Sequence, residues 1–506
     1  MKREQFETYR ESEYFNIKEL EAQTGQSYTK FANVILKELL DNALDACETA
    51  NIAPMIDIRI KSNIDNILIT VADNGSAIDT GTIDRILNYQ TRTSDKQAYR
   101  SPTRGAQGNA LKTVLGIPFA LSGEDRDKTY PVIIKSGNTQ HTILLWLDPT
   151  GRVRSEVKRE NIEFTKGTEI TVRIPAEEQE FDPERWIRAF SLFNPHATFN
   201  FTIDGISQEE AYEGELMEEN EHDESPDEDG EFLRKSDFDE NKHEEIEHDK
   251  SCGEKSQIFK QTVDFPNGWS KYIPTHPTSP WWYTEDDLKK LIFAYIGVIE
   301  ERLKDIKLRD YLRQFKGLTG AKTGMICKEF NDIQHLSDFK NKPNRIGDLL
   351  AIMKSLAKAP SHRVLGMVGE DHFRQFFDSR YRICKPVKDE TDGDEVQPQF
   401  WYRCAKGEDD GIPFVFEIAV AMTEKMGEFF HGVNFSPTYE DPFSSTSFEC
   451  KSFGEFHHWD GVKEFLKRAH VFPDSEDGIK TAVAIHLVCP TLHWTERGKS
   501  RLTNIE

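Results

Sequence analysis

Residues 35–48 (ILKELLDNALDACE) place Ile35, Leu36, Leu39, Leu40, Ala43 and Leu44 at helical spacing, which predicts an amphipathic helix. On its polar side Glu38, Asn42 and Asp45 fall at i, i+4 and i+7 and share one stripe. Three polar groups on one stripe suit the holding of a metal and the activation of a water. Residues 67–72 (ILITVA) are a short apolar run that reads as a strand. It feeds residues 73–78 (DNGSAI), a sharp turn with a carboxylate at its mouth. Residues 104–113 (RGAQGNALKT) read as a Gly-rich loop leading into a helix, and residues 166–172 (KGTEITV) open another strand.

A helix with Glu and Asn, a strand then Asp-x-Gly, a glycine lid and a Gly-Thr strand follow one another within the first ~175 residues. This order resembles the GHKL ATPases: gyrase-type topoisomerases, mismatch-repair MutL proteins, heat-shock chaperone ATPases and sensor histidine kinases. The resemblance implies ATP with Mg2+, and a task for each part. Glu38 would be the general base for the water that attacks the γ-phosphate. Asn42 would offer its carbonyl oxygen to Mg2+, a hard ion that keeps several waters. Asp45 is equally readable as a structural hydrogen-bond partner. Asp73 would accept a hydrogen bond from the adenine amino group, with Gly75 shaping the turn. The family usually has a second glycine where this chain has Ala77, and alanine disfavours a left-handed backbone.

Gly105, Ala106, Gln107, Gly108 and Asn109 would form the phosphate-binding loop, its glycines admitting close approach and its backbone N–H groups cradling the anion. Residues 88–104 read as a lid that orders over nucleotide. Lys112 and Thr113 lack the glycine a Walker A loop needs, since Leu111 precedes them, so that reading is rejected. Thr168 would contact Asp73, or the adenine through a water.

The flanks narrow the resemblance to the B subunit of topoisomerase VI: residues 37–50, Asn194-Pro-His-Ala197, residues 272–278 (YIPTHPT), residues 359–366 with His372, and residues 491–501 (TLHWTERGKSR). The last stretch is similar to the loop carrying a switch lysine, which places Lys499 against the γ-phosphate from a second domain. The implied architecture is α+β: a GHKL (Bergerat) ATPase α/β sandwich at 1–205, an acidic insertion at 206–256, the end of the ATPase domain and a linker at 257–280, a helical helix-two-turns-helix-like domain at 281–359, and an α+β transducer domain at 360–506. Residues 308–320 are expected to be helical and to turn Arg309, Arg313 and Lys316 outward. Residues 380–384, 399–403, 413–420 and 481–488 read as strands, and residues 461–470 as a helix.

Composition changes this picture in one place. The net charge of −24 argues against a nucleic-acid partner, but residues 209–249 hold 20 acidic and 3 basic residues, a net −17 that leaves −7 for the rest. That stretch, with few strand formers and no helical periodicity, is expected to be disordered. It interrupts a hairpin between residues 199–203 and 257–263, which loop-closure entropy tolerates. Seven scattered cysteines without a Cys-x-x-Cys pair point to a reducing, cytoplasmic setting. No apolar run suggests a leader or a membrane span.

The function expected is therefore the ATP-hydrolysing subunit of a type IIB topoisomerase. It would be an ATP-dependent homodimer closing on duplex DNA, coupled to a separate DNA-cleaving A-type subunit. An N-terminal arm at residues 12–19 resembles the strap that reaches into the neighbouring protomer. The family continues beyond the point matching Glu506 into a helix that docks the A subunit. An ATP-switched DNA clamp without strand passage, of MutL or defence-system type, is the alternative.

Overall fold

The structure is a computed structural model that describes residues 10–89, 98–104, 110–163, 166–205, 255–302, 305–385, 387–388, 396–397, 399–425, 427–443, 480–492, 494 and 502. The glycine loop (105–109), the acidic stretch, the helix expected at 461–470 and Lys499 lie outside these residues.

The predicted amphipathic helix is present as α2 (Phe31–Thr49), preceded by α1 (Ile17–Thr24). α2 rests on an eight-stranded sheet of β1 (Met55–Ser62), β2 (Asn66–Asp73), β3 (Val132–Ser136), β4 (Thr139–Leu147), β5 (Val153–Asn161), β6 (Thr168–Pro175), β7 (Thr198–Gly205) and β8 (Lys255–Phe259). The spatial order is β5-β4-β3-β6-β2-β1-β7-β8. Only β1 and β7 run parallel, with Ile58 opposite Phe201. β1 shows why one face is covered: Ile56, Ile58 and Ile60 are buried while Met55, Asp57, Arg59 and Lys61 face out, the period-2 pattern of a half-buried strand. The covering layer is α2 with α4 (Ala110–Leu121) and α5 (Pro183–Phe193), while α3 (Thr80–Ile86) follows the Asp73 turn. β7 and β8 pair antiparallel across the acidic stretch, Phe199 opposite Phe259.

A helical region follows, made of α6 (Glu285–Arg302), α7 (Leu308–Leu312), α8 (Ala321–Glu329) and α9 (Arg345–Leu356). It has its own apolar core, running from Tyr272 and Trp282 to Met353 and Ala357. The helix expected over 308–320 stops at Leu312, because the Lys316 N–H leaves the helix to donate to the Thr278 carbonyl at 2.7 Å. Arg309, Arg313 and Lys316 are exposed.

α10 (Glu370–Tyr381) leads to the short strands β9 (Val387–Lys388) and β10 (Val396–Gln397) and to a five-stranded sheet. Its strands are β11 (Phe400–Asp409), β12 (Ile412–Thr423), β13 (Phe429–Val433), β14 (Ser436–Pro437) and β15 (Lys480–Val488), ordered β11-β12-β15-β13-β14. The strand expected at 380–384 is not there: α10 runs through Tyr381, and only Ile383 makes a bridge, to Thr423. Tyr381, the one aromatic residue of that stretch, ends the helix's buried face with Phe373, Phe376 and Phe377.

The two sheets share one core. Phe373, Phe377, Val415, Ala419, Phe430 and Ala484 belong to the same buried cluster as Leu36, Ile58 and Phe190. Arg188 of α5 adds a two-pronged contact to Glu428, at 2.9 and 3.0 Å. A large apolar contact of this kind opposes free motion of one sheet against the other. The N-terminal arm packs against α4. Tyr14 and Phe15 are buried in their own chain, Phe15 against Tyr89 and Phe119, and the Tyr14 carbonyl lies where a side chain on Gly116 would begin.

Candidate functional site

β2 delivers Asp73 to the edge of α2. The next turn is pinned by Asn74, whose Oδ1 accepts from the Met55 N–H at 2.9 Å and the Cys47 thiol at 3.1 Å. Gly75 then touches the helix itself: a Cβ there would lie 2.6 Å from Ala46 C and Cys47 N. That close approach is why glycine is needed, since neither Gly75 nor Ala77 has a positive φ. The alanine at the family's second glycine therefore costs the turn nothing.

Asp73 is half-buried and accepts from the Gly75 N–H at 2.7 Å and from the Thr168 N–H. Thr168 thus meets Asp73 through its backbone, while its hydroxyl pairs with Ser136 Oγ at 3.2 Å. Gly167 makes the approach possible. Its φ is +69°, and a Cβ there would meet the Asp73 carbonyl at 1.8 Å. Burial pushes the Asp73 carboxyl up to about 7 against the pull of its two N–H donors. The neighbouring Cys47 thiol is pushed up to about 12 by burial and then by Asp73. A carboxylate held by two backbone donors at a strand end is a rigid acceptor for an amino group.

α2 carries two polar stripes. On one, Glu38 has a 23 % exposed side chain 3.8 Å from Lys37 Nζ, and Asn42 is exposed. On the other, Asp41, Asp45 and Glu48 face inward. Lys37 Nζ lies 2.8 Å from Asp41. Burial works to lower the Lys37 ammonium, but Asp41 and Glu38 outweigh it and hold it above its ordinary value. Asp45 does not act with Glu38 and Asn42: it lies 3.4 Å from Arg104.

Arg104, the residue before the glycine loop, has a fully buried side chain. Its guanidinium donates to Glu48 at 2.8 Å, to Asn194 Oδ1, and to the Phe435 carbonyl at 3.2 Å. Glu48 also receives Lys271 at 2.7 Å and His196 at 2.9 Å. Burial raises the Glu48 carboxyl, but Arg104 and Lys271 outweigh it and hold it well below the usual range. Burial brings Lys271 down to about 8 and His196 to about 4. From the second sheet Ser436 donates to Asp41 at 2.8 Å, and Tyr439 places its ring 5.2 Å from Lys37 Nζ. Residues 434–439 escaped the sequence reading because nothing in their spacing marks a loop that reaches another sheet.

The end of the expected lid is a strut. Tyr99 bonds the hydroxyl of Tyr295 and Gln314, Arg100 pairs with Asp287, and Thr278 donates to the Arg100 carbonyl at 2.8 Å. Residues 98–104 are thereby tied to the helical region. Lys112 faces back to the Asn88 carbonyl at 2.5 Å, in keeping with the rejected Walker A reading. Gly105, Ala106, Gln107, Gly108 and Asn109 lie outside the described residues, as does Lys499, although Trp494 and Leu502 bridge at either side of it.

Residues 29–178 match the family described as histidine kinase-, DNA gyrase B-, and HSP90-like ATPase. The B subunit of type 2 DNA topoisomerase 6 from Archaeoglobus fulgidus is 29 % identical over 175 residues, 33 % of this chain and 28 % of that protein. Its counterpart from Natronomonas pharaonis is 30 % identical over 178 residues, 33 % of this chain and 21 % of that protein. The chain thus matches about a quarter of the length of these curated relatives. The ATPase region of Saccharomyces cerevisiae topoisomerase II aligns with 93 % of this chain and 76 % of that one, at 9 % identity and a TM-score of 0.33. The first sheet and its helices have the GHKL ATPase fold, and the chain is similar in sequence to topoisomerase VI B subunits there.

Proposed function

We propose that this chain binds and hydrolyses ATP as the B-type subunit of a topoisomerase VI-like enzyme, closing as a dimer on duplex DNA and working with a separate DNA-cleaving A-type subunit. The observation that carries the reading is Asp73, fixed by the Gly75 and Thr168 N–H groups beside the helix that bears Glu38 and Asn42. Asp73 receives the adenine amino group, and Glu38 takes the proton of the attacking water. The loop 105–109 would bind the phosphates, and Lys499 would reach the γ-phosphate from the second domain, whose role is that of a transducer.

Magnesium fits this site. Asn42 is an exposed oxygen donor on the Glu38 stripe, and among the described residues no three His, Cys, Asp or Glu side chains gather as a cage. An ion that keeps most of its waters and shares phosphate oxygens asks for little more. Bound there, it would screen phosphate charge.

Duplex DNA is assigned to the helical region, residues 281–359. It holds 15 basic and 11 acidic residues in a chain of net charge −24, with Arg309, Arg313 and Lys316 exposed. Phosphate contacts of this kind weaken steeply with salt. Among the described residues no helix is long and apolar enough to cross a membrane.

The test is ATP turnover by the wild type and by Glu38→Ala, with and without duplex DNA, followed by sizing with a non-hydrolysable ATP analogue. Turnover should vanish in the variant, and the analogue should double the mass. Turnover retained by Glu38→Ala removes the base, and a monomer with analogue bound removes the gate. DNA-dependent closure without any nuclease partner would favour the clamp that lacks strand passage.

A further inference from the structure

Two consecutive non-glycine residues, Asn434 and Phe435, have φ of +52° and +65°. That conformation costs side-chain-bearing residues energy and persists only where the surroundings enforce it. Here they do. Asn434 bonds Cys489 in both directions, at 2.9 and 3.1 Å. The Phe435 N–H donates to His486 Nε2 at 3.1 Å. Because Nε2 accepts, the ring proton sits on Nδ1, which donates to Glu417 at 2.9 Å. Glu417, fully buried, is completed by the Val368 and Gly369 N–H groups at 2.9 and 2.8 Å and by the Tyr402 hydroxyl at 2.7 Å. On the other side the Phe435 carbonyl accepts from Arg104 Nε at 3.2 Å and Asn194 Nδ2 at 2.9 Å. A continuous line of hydrogen bonds thus runs from the start of α10, through the core of the second sheet, to the residue that begins the glycine loop.

We infer that His486 and Glu417 are positioning residues for the nucleotide reaction: they hold the Asn434–Phe435 turn, the turn holds Arg104, and Arg104 directly precedes the residues proposed to bind phosphate. This rests on the ATP-binding reading of the site. Neither side chain touches nucleotide in that reading. Without His486 the buried Phe435 N–H loses its acceptor, a state that folded proteins avoid. The turn then relaxes from its left-handed backbone, and its carbonyl leaves the guanidinium. Arg104 keeps Glu48, so the fold of α2 survives while Arg104 loses part of its anchorage. Asp73 is held by β2 and β6 and stays in place. The line therefore predicts a separation: the phosphate end of the nucleotide is felt, the adenine end is not.

The experiment measures steady-state ATP hydrolysis by the full chain, with AMP as a competitive inhibitor. In His486→Ala the KM for ATP should rise at least five-fold, while the Ki for AMP stays within two-fold of wild type. Glu417→Gln is the second variant. It keeps the volume, but with its one oxygen on Gly369 and Tyr402 it turns its amide NH2 toward His486 and the Val368 N–H, which share a carboxylate oxygen in the wild type. The ring proton is then driven to Nε2, against the Phe435 N–H, and the same separation is expected. An unchanged KM in both variants overturns the inference, as does a parallel rise in KM and Ki, which would mark general damage to the site. Absence of ATP turnover in the wild type would instead sink the ATPase reading, so the two failures are told apart.

Discussion

The two polar stripes of α2 lie on one helix, yet their chemistry differs completely. Glu38 and Asn42 keep access to solvent. Asp41, Asp45 and Glu48 are enclosed by Lys37, Arg104, Lys271, His196 and Ser436. A stripe that reaches solvent can meet a ligand, whereas a buried one needs its charges matched, because an unpaired buried charge is costly. In the proposed function the first stripe serves the reaction, while the second holds the chain together. They are one helical step apart, so the helix that carries the proposed base is also the helix that the second sheet grips.

The largest contrast comes from Glu38→Ala, expected to cut kcat by about 10²–10⁴-fold while changing unfolding free energy by about 1 kcal/mol or less. Comparable loss of stability in that variant would erase the distinction between the stripes. Glu48→Ala should do the reverse. It leaves Arg104 and Lys271 buried without their shared partner, and denaturant unfolding should show a loss of about 3–5 kcal/mol. Because the Glu48 carboxyl is depressed in the fold, its stabilisation is complete above the unfolded carboxyl range, about 4.3, and is lost as pH falls towards the folded value. Gly75→Ala probes the contact between the Asp73 turn and the helix. A Cβ 2.6 Å from the Ala46 and Cys47 backbone should cost about 1–3 kcal/mol, and ATP affinity should fall with it.

The smallest effect sharpens the nucleotide side. With the Asp73 carboxyl near 7, the ionised acceptor is the majority form at pH 8 and the minority form at pH 6. If the adenine amino group needs that form, ATP affinity should drop about ten-fold between them. Asp73→Asn should bind weakly and lack this component. The difference between the two pH profiles is the measurement, since the phosphates titrate equally in both. Identical slopes would remove Asp73 as the adenine acceptor.

The amphipathic stretch 35–48, the strand at 67–72 and the Gly-Thr strand were legible from spacing alone. α2 buries Ile35, Leu36, Leu39, Leu40 and Leu44 as that spacing requires, and β2 and β6 run side by side. The fold of the first sheet was legible only through the resemblance that those motifs, in that order, bear to the GHKL ATPases. The assignment of Asp45 was not. Helical spacing places it with Glu38 and Asn42 equally well, and only the arrival of Arg104 from a distant loop decides its side. The reading of 380–384 as a strand failed because a short run with Tyr381 and Ile383 looks the same whether it ends a buried helix face or lies in a sheet.

What the sequence determined by itself was α2, β2 and β6 and the candidate residues they carry, because those follow from neighbours three, four or two positions apart. What only the tertiary structure decided was which charges are enclosed, that Gly75 is a contact rather than a hinge, and that residues 434–439 reach across to α2. Those outcomes depend on groups hundreds of positions apart, Asp41 and Ser436 among them. Burial, which sets the cost of a charge and the strength of its partner, exists only once both are packed together.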